Sequence, residues 1–355
     1  MEKAMSDRFE AALSDTHDEV AQFERDEKSL LTRVSVVLQK YPALVPLLVL
    51  IVAILIFVVV SQGRFFKPLT LTLILQQVQI VGIVAAAQSL VILTAGIDLS
   101  VGAITVISSV VMGHFTFRYG LPVELAVACG LFLGTLIGAI NGFLVAVIKL
   151  PPFIVTLGSW QIVLAANFIY SANETIRSQD VAAEAPLLQF LGNSFKLGGA
   201  NFTYGVILMV IIVVLLAYVL RNTAWGRHVY AVGDDPEAAQ LSGVAVRRTL
   251  ISVYALAGLI CALAGWALIG RIGSVSATPG QFLNIESITA VVIGGISLFG
   301  GRGSILGTFF GALLVGVFTF GLRQAGVDVQ WTYLLIGALI IAAVALDNWI
   351  RKVAS

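Results

Sequence analysis

Residues 71–117 read LTLILQQVQIVGIVAAAQSLVILT, then AGID, then LSVGAITVISSVVMGHFTF. The two apolar runs are 24 and 19 residues long, and Asp98, in the gap between them, is the only Asp, Glu, Lys or Arg of the whole stretch. A helix crosses the hydrocarbon core of a bilayer with about 20 consecutive apolar residues. The stretch therefore predicts two membrane helices joined by a tight break. Gly96 and Gly102 permit unusual backbone angles around the break, and Asp98 or Ser100 suits the cap of the following helix. Asp98 has a second reading, as a residue of a transport path, because carboxylates inside a membrane protein are expensive and functional.

The rest of the chain extends this pattern. Hydrophobic residues make up 58% of it and charged residues 12%, with a mean hydropathy of +0.97, well outside the composition of water-soluble domains. The expected fold class is all-α, a polytopic membrane protein of about ten transmembrane helices. The spans are 43–61, 71–94, 99–117, 121–148, 153–170, 204–220, 249–270, 285–299, 304–322 and 329–346, the fifth and eighth being candidates for broken or partial spans. Residues 1–42 form a charged, acidic tail ahead of a permease-like body over 43–350. Phe9, Leu13, Val20, Phe23, Leu30 and Leu31 fall near helical spacing, which fits an amphipathic helix, and a solvated tail fits equally. The tail lacks the basic start and short apolar core of a secretory signal.

Lys and Arg are retained on the cytoplasmic side of a membrane. With the N-terminus inside, Lys40, Lys149, Arg221, Arg227, Arg247, Arg248 and Arg302 fall on inner segments, and fewer, among them Arg64, Lys67, Arg118 and Arg271, fall outside. Ten spans then place both termini in the cytoplasm. Loop 171–202 is external, and loop 221–248 is cytoplasmic. Gly134-Thr-Leu-Ile-Gly138-Ala139 is echoed by Gly307-Thr-Phe-Phe-Gly311-Ala312 in helices expected to run in opposite directions. That fits an inverted repeat and also ordinary close helix packing.

Several chemistries are missing from the sequence. There is no phosphate-binding glycine loop, no nucleophile elbow and no His/Cys/carboxylate cluster at metal-ligand spacing, so the chain is expected to be no enzyme and to hold no metal or cofactor. A net charge of +1 argues against nucleic acid. Cys129 and Cys261 sit in apolar runs and read as buried thiols.

Two kinds of candidate residue remain. Polar groups in or beside the spans suit the passage of a neutral, hydroxyl-rich molecule, or hydrogen bonding between helices. They are Gln88, Asp98, Asn141, Trp160, Gln161, Asn167, Asn284 and Glu286, with Gln76, Gln77, Gln79 and Tyr170 of the same class. Glu286 also suits the positive end of a helix. The other kind lies in the cytoplasmic loop, where Asp234-Asp235-Pro236-Glu237-Ala238-Ala239-Gln-Leu-Ser-Gly243 has acidic caps, Pro at the first helical position, good helix formers and a glycine stop. This predicts a short surface helix.

Glu237-Ala238-Ala239 with Gly243 is similar to the EAA loop of ABC importer permeases. Gly96-Ile-Asp-Leu-Ser-Val-Gly102, Asn141-Gly142, Pro152-Phe-Ile-Val-Thr-Leu-Gly158, Gly226-Arg-His-Val-Tyr-Ala-Val-Gly233 and Ala290-Val-Val-Ile-Gly-Gly-Ile-Ser-Leu-Phe-Gly-Gly301 follow in order. Together they resemble the ribose/xylose/galactose-type permease family from about residue 45 onward. Asn173-Glu-Thr-Ile-Arg177 and Ala231–Ala239 resemble its fructose-importing branch. Many members carry Arg-Gly where this chain has Leu164-Ala165, so no ribose- or xylose-specific role is carried onto the fifth span. The resemblance implies a homodimer in the bacterial inner membrane, in contact with lipid, with a monosaccharide, fructose foremost, passing by alternating access. It further implies a periplasmic sugar-binding protein and an ATP-binding subunit that holds the nucleotide. Asp235, Pro236, Glu237, Ala238, Ala239 and Gly243 would meet that subunit. An ion-coupled sugar carrier is the alternative, and the scarcity of acids within the spans counts against it.

Overall fold

The computed structural model describes residues 43–280 and 282–328, with scattered positions between 330 and 345. The acidic tail and most of the tenth predicted span lie outside the described residues. The elements run α1 (Leu44–Val60), α2 (Pro68–Leu93), α3 (Val101–Tyr119), α4 (Val123–Ala146), α5 (Pro152–Ser171), α6 (Ser178–Glu184) and α7 (Pro186–Gln189). The hairpin β1 (Ser194–Leu197) and β2 (Ala200–Thr203) follows, with Ser194 opposite Thr203 and Leu197 opposite Ala200. The chain continues through α8 (Tyr204–Asn222), α9 (Ala224–Asp234), α10 (Pro236–Leu241), α11 (Val246–Ile272), α12 (Leu283–Ile293) and α13 (Ile305–Gln324).

The protein is an all-α, multi-span chain. Among the described residues, 7 helices (α2, α3, α4, α5, α8, α11 and α13) are long and apolar enough to cross a membrane. α1 has 17 residues and α12 only 11. The fifth predicted span is one continuous helix of 20 residues. The eighth is shorter than its apolar run, because Gly295 adopts φ 80° and ends the helix, leaving Ile296, Leu298 and Phe299 in the turns that follow. At 1.5 Å per residue, α12 reaches about 16 Å, roughly half of a ~30 Å hydrocarbon core. Residues 273–280 and 282, between α11 and α12, are non-helical.

α3 is the centre of the bundle. Every residue from Val101 to His114 is buried, as expected of a helix apolar on all sides, and α4, α5, α11 and α12 pack around it. The glycine ridge of α4 sets the closest approach. A Cβ on Gly134 would lie 2.8 Å from the Gly258 carbonyl and 2.7 Å from Ala262 Cβ, and one on Gly138 would collide with the Tyr254 carbonyl. Backbone meets backbone there, which is how small residues join membrane helices. Large apolar side chains point outward from α1, α5 and α8, among them Val59, Ile162, Ile169 and Leu215, on faces suited to lipid.

Candidate functional site

The break between α2 and α3 is held by side chains from four helices. Asp98 Oδ1 accepts from the Ser100 N–H at 2.7 Å and from the Ser100 hydroxyl at 2.6 Å, closing an Asx turn at the entrance to α3. Ser100 stands at the N-cap position, yet its hydroxyl makes no cap bond. It accepts instead from Asn141 Nδ2 of α4 at 3.0 Å. With its amide oriented to satisfy both groups, Gln88 of α2 donates to the Asp98 carbonyl at 2.9 Å and accepts from the Asp98 N–H at 3.2 Å. Thr156 Oγ1 of α5 donates to the Ile97 carbonyl at 2.9 Å. Asn284 Nδ2 of α12 reaches the Leu99 carbonyl at 3.5 Å. Gln88, Asp98, Asn141, Thr156 and Asn284 are all 2% exposed or less.

Four of the eight predicted path residues thus converge on one unwound segment: Gln88, Asp98 and Asn284 bond its backbone, and Asn141 bonds its Ser100 hydroxyl. Non-helical backbone at membrane depth needs such partners, since no water satisfies it. Asp98→Asn keeps an oxygen for the Ser100 N–H, whereas Asp98→Ala leaves that buried donor without a partner, at about 1–3 kcal/mol. The Ala variant is expected to melt several degrees below both the wild type and the Asn variant in detergent thermal-shift measurements. Equal losses in the two would give the charge itself the structural role.

The loop helix α10 is built at both ends as its sequence dictates. Asp235 Oδ1 accepts from the Glu237 N–H at 2.9 Å and the Ala238 N–H at 3.0 Å, and Pro236 takes the first helical position. At the other end Gly243 has φ 86°. Its N–H donates to the Gln240 carbonyl and the Val244 N–H donates to the Ala239 carbonyl, both at 3.0 Å, the paired bonds of a Schellman stop. Of the six residues only Ala239 is buried, and Leu241 is 90% exposed.

This helix is joined to the break by backbone. α9, which precedes α10, ends in Gly233 and Asp234, and a Cβ on Gly233 would collide with the Leu93 carbonyl at the end of α2. That carbonyl accepts from the Gly301 N–H at 3.0 Å. A Cβ on Gly300 would lie 2.8 Å from Ala95 Cβ, and one on Gly301 would lie 2.9 Å from Asp234 Cα. Gly233 and Asp234, Leu93 and Ala95, and Gly300 and Gly301, far apart in the chain, therefore meet where α2 ends, just before the break.

A family model described as the permease component of branched-chain amino acid transport systems matches residues 70–344. The chain belongs to this permease family. It is 68% identical over 350 residues to the fructose import permease protein of Rhizobium meliloti, covering 99% of this chain and 97% of that one. The ribose import permease protein of Bacillus subtilis is 36% identical, covering 88% and 94%. The galactose/methyl galactoside import permease protein of Escherichia coli is 32% identical, covering 84% and 92%. No solved structure matches the chain. The expected resemblance to sugar permeases is therefore correct, and the chain is a multi-span membrane permease subunit with a transport role rather than an enzymatic one.

The other predicted path residues of this permease lie away from the break. Asn167 is buried in α5, where its Nδ2 donates to the Ala277 carbonyl at 3.1 Å and so holds the non-helical segment before α12. Trp160 is half-buried and Gln161 exposed, both on α5, and Glu286 is exposed on α12. Sequence reasoning quoted Thr156 within the 152–158 motif but gave its hydroxyl no role. The Pro151-Pro152 pair ahead of it was the available signal, since it starts α5 beside the break.

Proposed function

We propose that this chain is the membrane-spanning subunit of an ATP-driven ABC importer in the bacterial inner membrane, working as a homodimer that translocates a monosaccharide. Fructose is the expected cargo, because the Rhizobium meliloti relative bears that name at 68% identity over nearly its whole length. In this reading a periplasmic sugar-binding protein delivers the sugar, and the ATP-binding subunit holds the nucleotide. The permease itself binds no cofactor. Residues 1–42 and the C-terminus face the cytoplasm, and residues 43–350 form ten spans in contact with lipid.

The observation that carries the reading is the exposed, doubly capped α10 with its backbone joint to the break. Asp235, Pro236, Glu237, Ala238, Ala239 and Gly243 form a rigid knob for the ATP-binding subunit. When ATP closes the two nucleotide-binding subunits, the knobs approach each other. The joint at Gly233, Leu93 and Gly301 then shifts the end of α2 and the turn after α12 together. Gln88, Asp98, Asn141 and Asn284 keep the unwound segment intact while it moves, so the path opens on one side at a time. A ligand drives such a switch only through different contacts in the two states, and the docked knob supplies them.

An inverted repeat fits this scheme. α2–α3–α4 and α11–α12–α13 each contain a long helix, a non-helical stretch, a second helix and a Gly-x-x-x-Gly helix. α4 packs on α11 of the other half, and α13 packs on α2. The glycine pairs themselves are used differently. Gly134 and Gly138 face α11, whereas Gly307 and Gly311 face Ala290 and Gly294.

The test is uptake of labelled fructose into vesicles carrying the permease, its ATP-binding subunit and its binding protein. Uptake should require trapped ATP and persist when ion gradients are collapsed. ATP-independent uptake that follows a gradient would replace this reading with an ion-coupled carrier.

A further inference from the structure

A cavity of about 370 Å³ opens between α2, α11, α12 and α13, lined by Gln77, Arg271, Phe282, Leu283, Glu286 and Thr319 among others. Its place in the bundle follows from helix register. α12 meets the first turns of α13 through Gly294 against Gly307 and Thr308, and through Ala290 against Gly311. Glu286 lies one further turn along α12, about 10 Å from its end at 1.5 Å per residue, so it sits within the thickness of the bundle.

Two opposite charges line this cavity without closing on each other. The one ion pair among the described residues is Arg118 with Glu174. Arg271 Nη1 makes a long bond of 3.4 Å to the Gln77 carbonyl. The carboxylate of Glu286 and the side-chain amide of Gln77 have no hydrogen-bond partner among the described residues. Thr319 Oγ1 donates to the Val315 carbonyl at 2.8 Å and retains lone pairs to accept with. Charged side chains within a membrane protein face its interior or a water-filled cavity, not hydrocarbon. The volume is at the small end of the roughly 300–1,000 Å³ of ligand pockets, which suits one small ring rather than a disaccharide.

We infer that this cavity is a halfway site for the transported sugar, in which Glu286 accepts hydrogen bonds from sugar hydroxyls, Arg271 and Gln77 donate to sugar oxygens, and Phe282 and Leu283 cover the apolar C–H face. The inference rests on the importer reading and names the site within it. A neutral polyol with donors and acceptors on every carbon matches a lining that offers an anion, a cation and an amide without excess charge. A second copy of the chain closing over this face is the competing occupant, and the experiment separates the two.

Glu286→Gln, Arg271→Gln and Gln77→Ala would each be reconstituted with the ATP-binding subunit and the binding protein. Labelled fructose taken up and ATP hydrolysed would be measured in the same vesicles. The ratio of sugar moved to ATP hydrolysed should fall about tenfold in the two charge variants, the factor for losing one charge-assisted hydrogen bond, and less in Gln77→Ala. Glu286→Asp should recover part of the ratio. An unchanged ratio in both charge variants overturns the site. Uptake and hydrolysis falling in parallel, or loss of the assembled dimer, overturns it too and assigns the face to assembly. If the wild-type complex shows no ATP-dependent fructose uptake, the importer reading fails before any variant is compared.

Discussion

Glu237→Trp and Gly243→Val are expected to reduce ATP-dependent uptake by well over tenfold while the permease stays in the membrane at wild-type amounts. Only Ala239 of the six residues of α10 is buried, so the helix adds little to the packing of the bundle, and changing it leaves the spans intact. What it offers is a rigid outer surface. Leu241 is 90% exposed and Glu237 is exposed beside it. Truncating or blocking a central contact of a docking surface costs about 2 kcal/mol or more, a factor of roughly 30 in affinity. Trp at position 237 keeps the helix and blocks its contact face. Val at position 243 acts through the backbone: a β-branched residue at the φ of 86° costs about 1–3 kcal/mol, so the Schellman stop opens and the knob loses its shape. Uptake into vesicles, with membrane-fraction immunoblots as the control for amount, checks both. Normal uptake in either variant at normal abundance would remove the docking role from α10.

Much of this was legible in the sequence, for physical reasons that differ from element to element. Long apolar runs bounded by Pro, Gly and charge were read to within a few residues. α5 begins at Pro152 and α11 spans Val246–Ile272, against predicted spans of 153–170 and 249–270. α10 was legible because its caps are local: Asp235, Pro236 and Gly243 act within one or two turns of chain. The eighth span was read as a candidate partial span, and α12 is one with its 11 residues, but the point at which it stops was hidden. Hydropathy runs on through Ile296 to Phe299, and what stops the helix is the backbone angle of Gly295, which hydropathy does not register. α9 was hidden as well, because Gly226 and Gly233 weaken its propensity. Its place is set by tertiary contacts, including Trp225 Nε1 donating to Ser252 Oγ at 2.8 Å and the Tyr230 hydroxyl donating to the Gly303 carbonyl at 3.0 Å. The cluster around Asp98 was legible residue by residue but not as a cluster. Gln88, Asn141 and Asn284 each read as isolated polar groups in apolar runs, and only the packing of four helices brings them to one segment.

The second large effect is expected from a single methyl group. Gly233→Ala should lower uptake by about tenfold or more and leave ATP hydrolysis poorly matched to transport. The added Cβ would collide with the Leu93 carbonyl and lie 2.7 Å from the Gly301 nitrogen, wedging into the 3.0 Å hydrogen bond that joins those residues. A packed interior accepts extra volume only by displacement, at about 1–3 kcal/mol. Both neighbours are backbone, so no side chain can rotate away. The displacement therefore falls on the end of α2, on the turn after α12, or on the base of the loop that carries α10. Each of these separates the knob from the break at Ala95–Ser100. On the proposed reading a substitution inside α10 would prevent docking itself, whereas Gly233→Ala would keep the docking surface and loosen its connection to the membrane. The two classes are told apart by the hydrolysis that sugar-loaded binding protein elicits, which should weaken with docking in the first and persist without transport in the second. Uptake and hydrolysis both at wild-type levels in Gly233→Ala would show that motion reaches the break by another route, such as the hydrogen bonds of Tyr230 to Gly303 or of Trp225 to Ser252.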